Sequence, residues 1–387
     1  MRNIIKTMLT RRHAVMLGYA LGFAGWISGQ AAYGEAPSPP VAADAAWKTD
    51  SDQVASRIFR LPPVDVHVDR VVVTAIAVDP RGEFLAVAGD DHVIRILNAE
   101  TLGIVHVLGE GGSTKSSTPG HFDWIRTLAF DASGNRLASS GNDGQLILWD
   151  RRRDFAALQE IDSAPALACV RFAASGKQIA AVGFDSRVFL IGNTANTMPV
   201  LRCQCVDLRC CTYRDDGSAL AVAGRDGRIH LFDPATGETL MEQKLHSGRV
   251  RDIAFMPASD VLVSVSEDGE MIRYDTGSKQ LLSQQKITSG RLFSLAVIDE
   301  HTIAAAGSDD EIHIVRVGED DRELHVQAKL NGHVGTVSTL VVNRGNLISG
   351  GFDATLRRWD LSRSLVSENK IALGNESGSV PLIPTPR

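Results

Sequence analysis

The sequence predicts an all-β chain assembled from seven copies of one four-stranded unit. Three observations carry this expectation. The stretches "SSGNDGQLILWD" (Ser139–Asp150) and "SGGFDATLRRWD" (Ser349–Asp360) hold Ser, Gly, Asp, Trp and Asp at the same offsets. Anchoring on their turn aspartate finds Asp91, Asp143, Asp185, Asp226, Asp268, Asp309 and Asp353, spaced by 52, 42, 41, 42, 41 and 44 residues. A large apolar residue follows each by six positions: Leu97, Trp149, Ile191, Phe232, Tyr274, Val315 and Trp359. Self-similarity at a period near 40 is the mark of stacked repeats. Helical spacing is not sustained anywhere after residue 60.

The elements follow in chain order. The first 34 residues carry Arg2, Lys6, Arg11 and Arg12 and no acid, then the apolar, glycine-bearing "HAVMLGYALGFAGWISG", then small residues. That layout reads as a signal peptide, cleaved after Ala32 or Gly34. The paired Arg11 and Arg12 resemble a twin-arginine leader, although Ala14 stands where a bulky residue is usual. The alternative is an uncleaved tether through residues 13–29, or no export at all. Residues 35–62 are Pro- and Ala-rich, then polar, and read as a linker.

From residue 63 to 364 the repeats run without a break. Unit two shows the pattern: "IRTLAF" alternates, "DASG" turns, "RLASS" is a second strand, "GNDG" turns, and "QLILWD" is a third. A more variable fourth strand, "FAALQEI", follows. Alternating β-branched and apolar residues between Gly/Asp turns are what strands require. The 52-residue gap comes from an insertion, "GEGGSTKSSTPG" (Gly109–Gly120), which reads as a flexible loop. "RRR" (Arg151–Arg153) reads as solvated charge. The last unit lacks an assured fourth strand. Either "PVDVHVD" (Pro63–Asp69) pairs onto it and joins the chain ends, the reading we favour, or the tail supplies "LVSENKIALG" (365–374). The remainder of 365–387 is tail.

The period and the "GH…WD" frame of Gly120–Asp150 and Gly332–Asp360 resemble the WD40 family. The resemblance covers about residues 64–364 and implies a seven-bladed β-propeller of WD40 type, with four antiparallel strands per blade. One four-stranded sheet cannot cover both its faces, so blades stack about an axis and bury one another.

In that family a His before the first strand, a Ser or Thr in the second, the turn Asp and the Trp form a hydrogen-bonded chain. The matching positions here are His121, Ser139, Asp143 and Trp149; His246, Ser264, Asp268 and Tyr274; and His333, Ser349, Asp353 and Trp359. The other four units lack the histidine and carry Val87, Ala181, Val222 and Ala305 at the serine position. Serine thus occurs only where its partner does, as satisfaction of buried polar groups demands. Three copies of a His/Ser/Asp set without an oxyanion-hole signature argue for structure and against a hydrolase. The four remaining turn aspartates are expected to accept N–H groups of their own turns.

Composition excludes some functions. Without the first 34 residues, 36 basic side chains face 46 acidic ones, and no basic stripe marks a nucleic-acid partner. The five cysteines (Cys169, Cys203, Cys205, Cys210, Cys211) lack zinc spacing and read as buried small hydrophobes, with Cys210 and Cys211 on opposite strand faces. No metal or cofactor site emerges. The reading is therefore a monomeric, non-enzymatic protein–protein interaction scaffold in the periplasm or envelope. A propeller enzyme of lactonase or quinoprotein type, and a cytosolic or tethered adaptor, are the alternatives. The family implies binding on the face carrying the loops before each first strand and after each second strand. Matching positions there are Trp124, Arg249 and Arg291, with Phe184, Arg225 and Phe352 just before the turn Asp. The two phenylalanines are either exposed contacts or rings folded onto neighbouring blades.

Overall fold

The structure is a computed structural model that describes residues 56–63, 70–109, 119–162, 165–192, 200–318 and 322–361. The leader, the Gly/Ser insertion at 110–118 and the segment from 362 onward lie outside the described residues. So do 64–69, which hold all but Pro63 of the expected closing strand.

The described strands form seven antiparallel four-stranded sheets. In blade two the strands, named a to d from the axis outward, are Ile125–Phe130, Arg136–Gly141, Gln145–Asp150 and Ala156–Asp162. Strands a of the other blades begin at Val73, Leu167, Leu208, Val250, Leu292 and Val337, and each packs against strand a of the next, the seventh against the first. Burial follows this order. The b strands are mostly apolar on both faces, as "IAAAG" in Thr302–Gly307 illustrates, because a blade covers each side. Strands d are edges, and Thr239–Lys244 is mostly exposed there.

Turn chemistry recurs with the blades. The residue after the turn aspartate takes a left-handed backbone at Gly144, Gly227 and Gly269, with φ of 75°, 72° and 76°. At Gly227 a Cβ would lie 2.3 Å from the His246 carbonyl oxygen, so the "DG" pair there is a steric requirement.

The ring is closed by the chain's N-terminal side, but not by the segment expected. Ser56–Phe59, assigned above to the linker, pairs antiparallel with Leu356–Asp360 in the register Ser56 with Trp359 and Phe59 with Leu356. Among the described residues the first propeller strand is thus Ser56–Phe59. Buried Arg95 ties the following segment down, donating from Nη2 to the Pro62 carbonyl at 2.6 Å. At the same seam the Ser338 hydroxyl donates to the Val73 carbonyl at 2.5 Å, joining blade seven to blade one.

Arg151 is not free charge. It lies 2.8 Å from Glu83 and 3.4 Å from Asp79 of blade one and stacks 4.5 Å over the Phe84 ring, clasping two blades. Arg152 and Arg153 are exposed and face Asp150.

Candidate functional site

The three His-containing blades build a directed chain. In blade two His121 Nδ1 lies 2.8 Å from Asp143 Oδ2, and Nε2 lies 2.8 Å from Ser139 Oγ. Trp149 Nε1 donates to the same hydroxyl at 2.9 Å. Ionised Asp143 can only accept, so Nδ1 carries the ring hydrogen and Ser139 donates to Nε2. Every polar atom of this chain then has a partner. Blade seven repeats it, with His333 to Ser349 at 2.7 Å and Trp359 to Ser349 at 2.8 Å. In blade five His246 reaches Ser264 at 2.8 Å and Asp268 at 3.1 Å. Tyr274 does not join it: its hydroxyl makes no hydrogen bond to Ser264, so the chain there ends at the serine. These imidazoles spend both nitrogens inside the fold and offer none to a substrate.

The other blades satisfy the turn aspartate from within. Asp185 and Asp226 accept backbone N–H groups of Arg187 and Arg228 at 3.2 and 3.0 Å, as expected. Asp91 and Asp309 depart from that. Asp91 is held by the Arg95 guanidinium at 2.6 Å, and Asp309 by His313 Nε2 at 2.7 Å. Arg95 and His313 sit four residues after their aspartate and pair across the sheet with Val87 and Ala305. In these two blades, where strand b lacks serine, strand c thus supplies the cation or imidazole. His313 also shares its neighbourhood with Glu311, but the Lys329 ammonium sits 2.7 Å from that carboxylate, which disfavours a metal ion.

The expected contact residues lie on the loops joining d to a and b to c. Phe184 and Phe352 are 40% and 49% exposed, so neither ring is folded away. Phe184 lies under the Arg209 guanidinium at 3.9 Å, and half-buried Trp124 under Arg126 at 5.1 Å. Arg225 and Arg291 are exposed. Arg249 is less available, pairing with Asp207 at 3.2 Å and Glu267 at 3.1 Å.

The sequence reading missed the channel that these loops surround. A central cavity of about 360 Å³ is walled by the strands a, with Thr74, Arg126, Arg209, Arg251, Phe293 and Ser338 around it. Each is the second residue of its strand, so the register of the repeat was the available signal. One residue further along, a polar row stitches blades together. Thr127 Oγ1 accepts from Val170 N at 3.2 Å, Asp252 Oδ2 from Leu295 N at 3.0 Å, and Ser294 Oγ from Leu340 N at 3.0 Å. Burial pushes the Asp252 carboxyl up, against the pull of Arg171 and those N–H bonds. At the cysteines, Cys169 and Cys211 approach to 3.7 Å between blades three and four. Cys210 faces the opposite core from Cys211. Cys203 and Cys205 lie beyond strand d of their blade, Val200–Arg202, and so share no strand face.

Comparison with known proteins agrees with this geometry. The family model described as "WD domain, G-beta repeat" matches residues 63–98 and 112–150. A second model, "Outer membrane protein assembly factor BamB", matches residues 212–380. The THO complex subunit 6 homolog of Danio rerio is 30% identical over 93 residues, 24% of this chain and 26% of that protein. Transducin beta-like protein 3 of Bos taurus is 24% identical over 343 residues, 83% of this chain and 40% of that protein. The chain thus spans between a quarter and two fifths of these relatives. The β-propeller domain of Myceliophteria thermophila Cps50 (Swd1) superposes with a TM-score of 0.66 at 19% identity, covering 79% of this chain and 99% of that one. Repeated Asp turns, seven sheets closed about an axis and these likenesses identify the chain as a seven-bladed β-propeller carrying WD40 repeats.

Proposed function

We propose that the propeller is a non-catalytic scaffold that binds a protein partner on the face bearing Trp124, Phe184, Arg225, Arg249, Arg291 and Phe352. The observation that carries this reading is the exposure of Phe352 and of Phe184, the latter under the Arg209 guanidinium. Exposed aromatic rings and arginines are the residue types that anchor interfaces. The His/Ser/Asp sets, by contrast, are consumed by the fold. Capture from an envelope extract tests the reading, comparing the wild type with an Arg225→Ala, Arg291→Ala, Phe352→Ala variant. The variant loses the partner while melting normally. Equal recovery by both proteins would dismiss this face.

We also propose that the protein works in the cell envelope, exported by its basic and apolar leader. The partial likeness to a family described as an outer-membrane assembly factor supports that reading. The mature N-terminus distinguishes the routes. A protein starting near Glu35 fits export, and one starting at Met1 fits a tethered or cytosolic adaptor.

A further inference from the structure

We infer that the channel mouth receives an acidic segment of the partner protein, its carboxylates held by Arg126, Arg209 and Arg251. This rests on the reading that the loop face around the channel is the interaction face.

The chain carries a net charge of −6, yet this mouth reverses the sign. Arg126, Arg209 and Arg251 project from the second position of three strands a into one cavity. Two carboxylates, Asp207 and Glu267, form ion pairs with the arginines at the channel mouth. Asp207 pairs with Arg209 at 2.7 Å and Arg249 at 3.2 Å, and Glu267 with Arg249 at 3.1 Å and Arg251 at 3.3 Å. Two acids are therefore spread over three arginines. Arg126 donates to the neutral Asn142 side chain at 2.9 Å, lies over the Trp124 ring, and makes no ion pair among the described residues, the Asp123 carboxylate acting on it only through its field. Exposed Arg225 and Arg291 stand on the same loops, likewise without a carboxylate among the described residues. Asp252, the acid in the channel wall, lies one residue past Arg251, where its field acts on Arg171 and its oxygens take the Ile253 and Leu295 N–H groups.

The guanidinium groups also oppose one another. Burial and the charges of Arg251 and Arg209 make Arg126 easier to deprotonate, and Arg251 feels burial and Arg209 in the same sense. An anion between them relieves that repulsion. Guanidinium is the group best matched to carboxylate, through paired N–H donors in one plane.

The surroundings select a polypeptide. Phe122, Phe184, Val206, Val334 and Phe352 are large, exposed and stand on these loops, giving apolar ground beside the charges. A cavity of about 360 Å³ admits a few side chains, not a long chain. An extended polyanion would also meet the acidic remainder of the surface. A short acidic stretch flanked by apolar residues fits both constraints.

The test uses the full-length protein and a fluorescently labelled deca-glutamate peptide, followed by anisotropy. Deca-glutamine, inorganic phosphate and a ten-residue oligothymidylate are the other arms. The expected result is saturable binding of deca-glutamate, at least tenfold tighter than deca-glutamine and weakened severalfold from 50 to 500 mM salt. Arg126→Gln with Arg251→Gln weakens it at least tenfold. Arg225→Glu with Arg291→Glu, two exposed positions that leave the core intact, weakens it in the same direction. Equal affinity for deca-glutamine, tighter binding of phosphate or oligothymidylate, or indifference to both variant pairs would overturn the inference. If deca-glutamate fails while partner capture still depends on Arg225, Arg291 and Phe352, the acidic specificity falls and the face stands. If both fail, the face falls.

Discussion

Removing the Asp143 carboxylate isolates one buried polar chain from everything else the propeller does. In the native fold its Oδ2 accepts from His121 Nδ1 at 2.8 Å and from Phe122 N at 3.2 Å, and its Oδ1 from Gln145 N at 3.0 Å. Phe122 is exposed and Gln145 half-buried, so water can replace the carboxylate at those two N–H groups. His121 is fully buried, and its Nδ1–H has no such recourse. Asp143→Ala therefore costs about 1–3 kcal/mol, mainly the desolvation of that single donor. Asp143→Asn keeps an acceptor oxygen for His121, although Oδ1 and Oδ2 can no longer both accept, and costs less. Because the chain runs Trp149 to Ser139 to His121 to Asp143, His121→Phe in the alanine background adds less than it does alone. Urea unfolding of the wild type and these four variants measures all of this, with partner binding followed on the folded fraction. The reasoning fails if Asp143→Ala unfolds at the wild-type midpoint, or if the two substitutions add without coupling.

Further expectations follow from the same structure. Tyr274→Phe unfolds within about 0.5 kcal/mol of the wild type, because its hydroxyl makes no bond to Ser264, whereas Trp149→Phe removes the bond to Ser139 and costs about 1 kcal/mol; equal costs would refute the distinction. At Asp268 and Asp353 burial pushes the carboxyls up. Hydrogen bonds from His246 and His333, with backbone N–H groups beside them, outweigh it, leaving both well below the usual carboxylate range. A depressed carboxyl stabilises the fold above its unfolded pKa of about 3.9 and loses that contribution as pH falls toward the folded value. The urea midpoint therefore drops between about pH 5 and pH 2, and less steeply in Asp268→Asn; parallel slopes would refute the assignment. Burial also pushes the Cys203 thiol up to about 12, and the other four cysteines are buried. Ellman's reagent at pH 8 should then label the native protein slowly and all five thiols after denaturation, and a rapidly labelled native thiol would contradict that.

What could be read from the sequence was what repetition amplifies. The turn aspartates, the aromatic six residues later and the three His/Ser pairs recur at fixed offsets because each blade solves the same packing problem. Features that occur once were not legible. "SRIF" at Ser56–Phe59 is four residues long with no turn signature beside it, and only its place against Leu356–Asp360 makes it a strand. The position four residues after the turn aspartate varies from blade to blade, so Arg95 and His313 carried no repeat signal. Burial between blades turns both inward, toward an aspartate that lacks a histidine. Arg126, Arg209 and Arg251 were missed for a related reason. Alternation in a flat sheet sends the second residue of a strand to open solvent, whereas curvature into a ring sends it to a shared axis. Phe184 and Phe352 were ambiguous because exposure depends on the neighbouring blade, which no local pattern encodes.

Amide hydrogen exchange over Ser56–Phe59 tests the closed seven-sheet ring most directly. A strand paired in register with Leu356–Asp360 exchanges slowly, in step with the rest of blade seven. Exchange of Ser56–Phe59 at the rate of an unstructured peptide, while Leu356–Asp360 stays protected by some other segment, would contradict the closure described here.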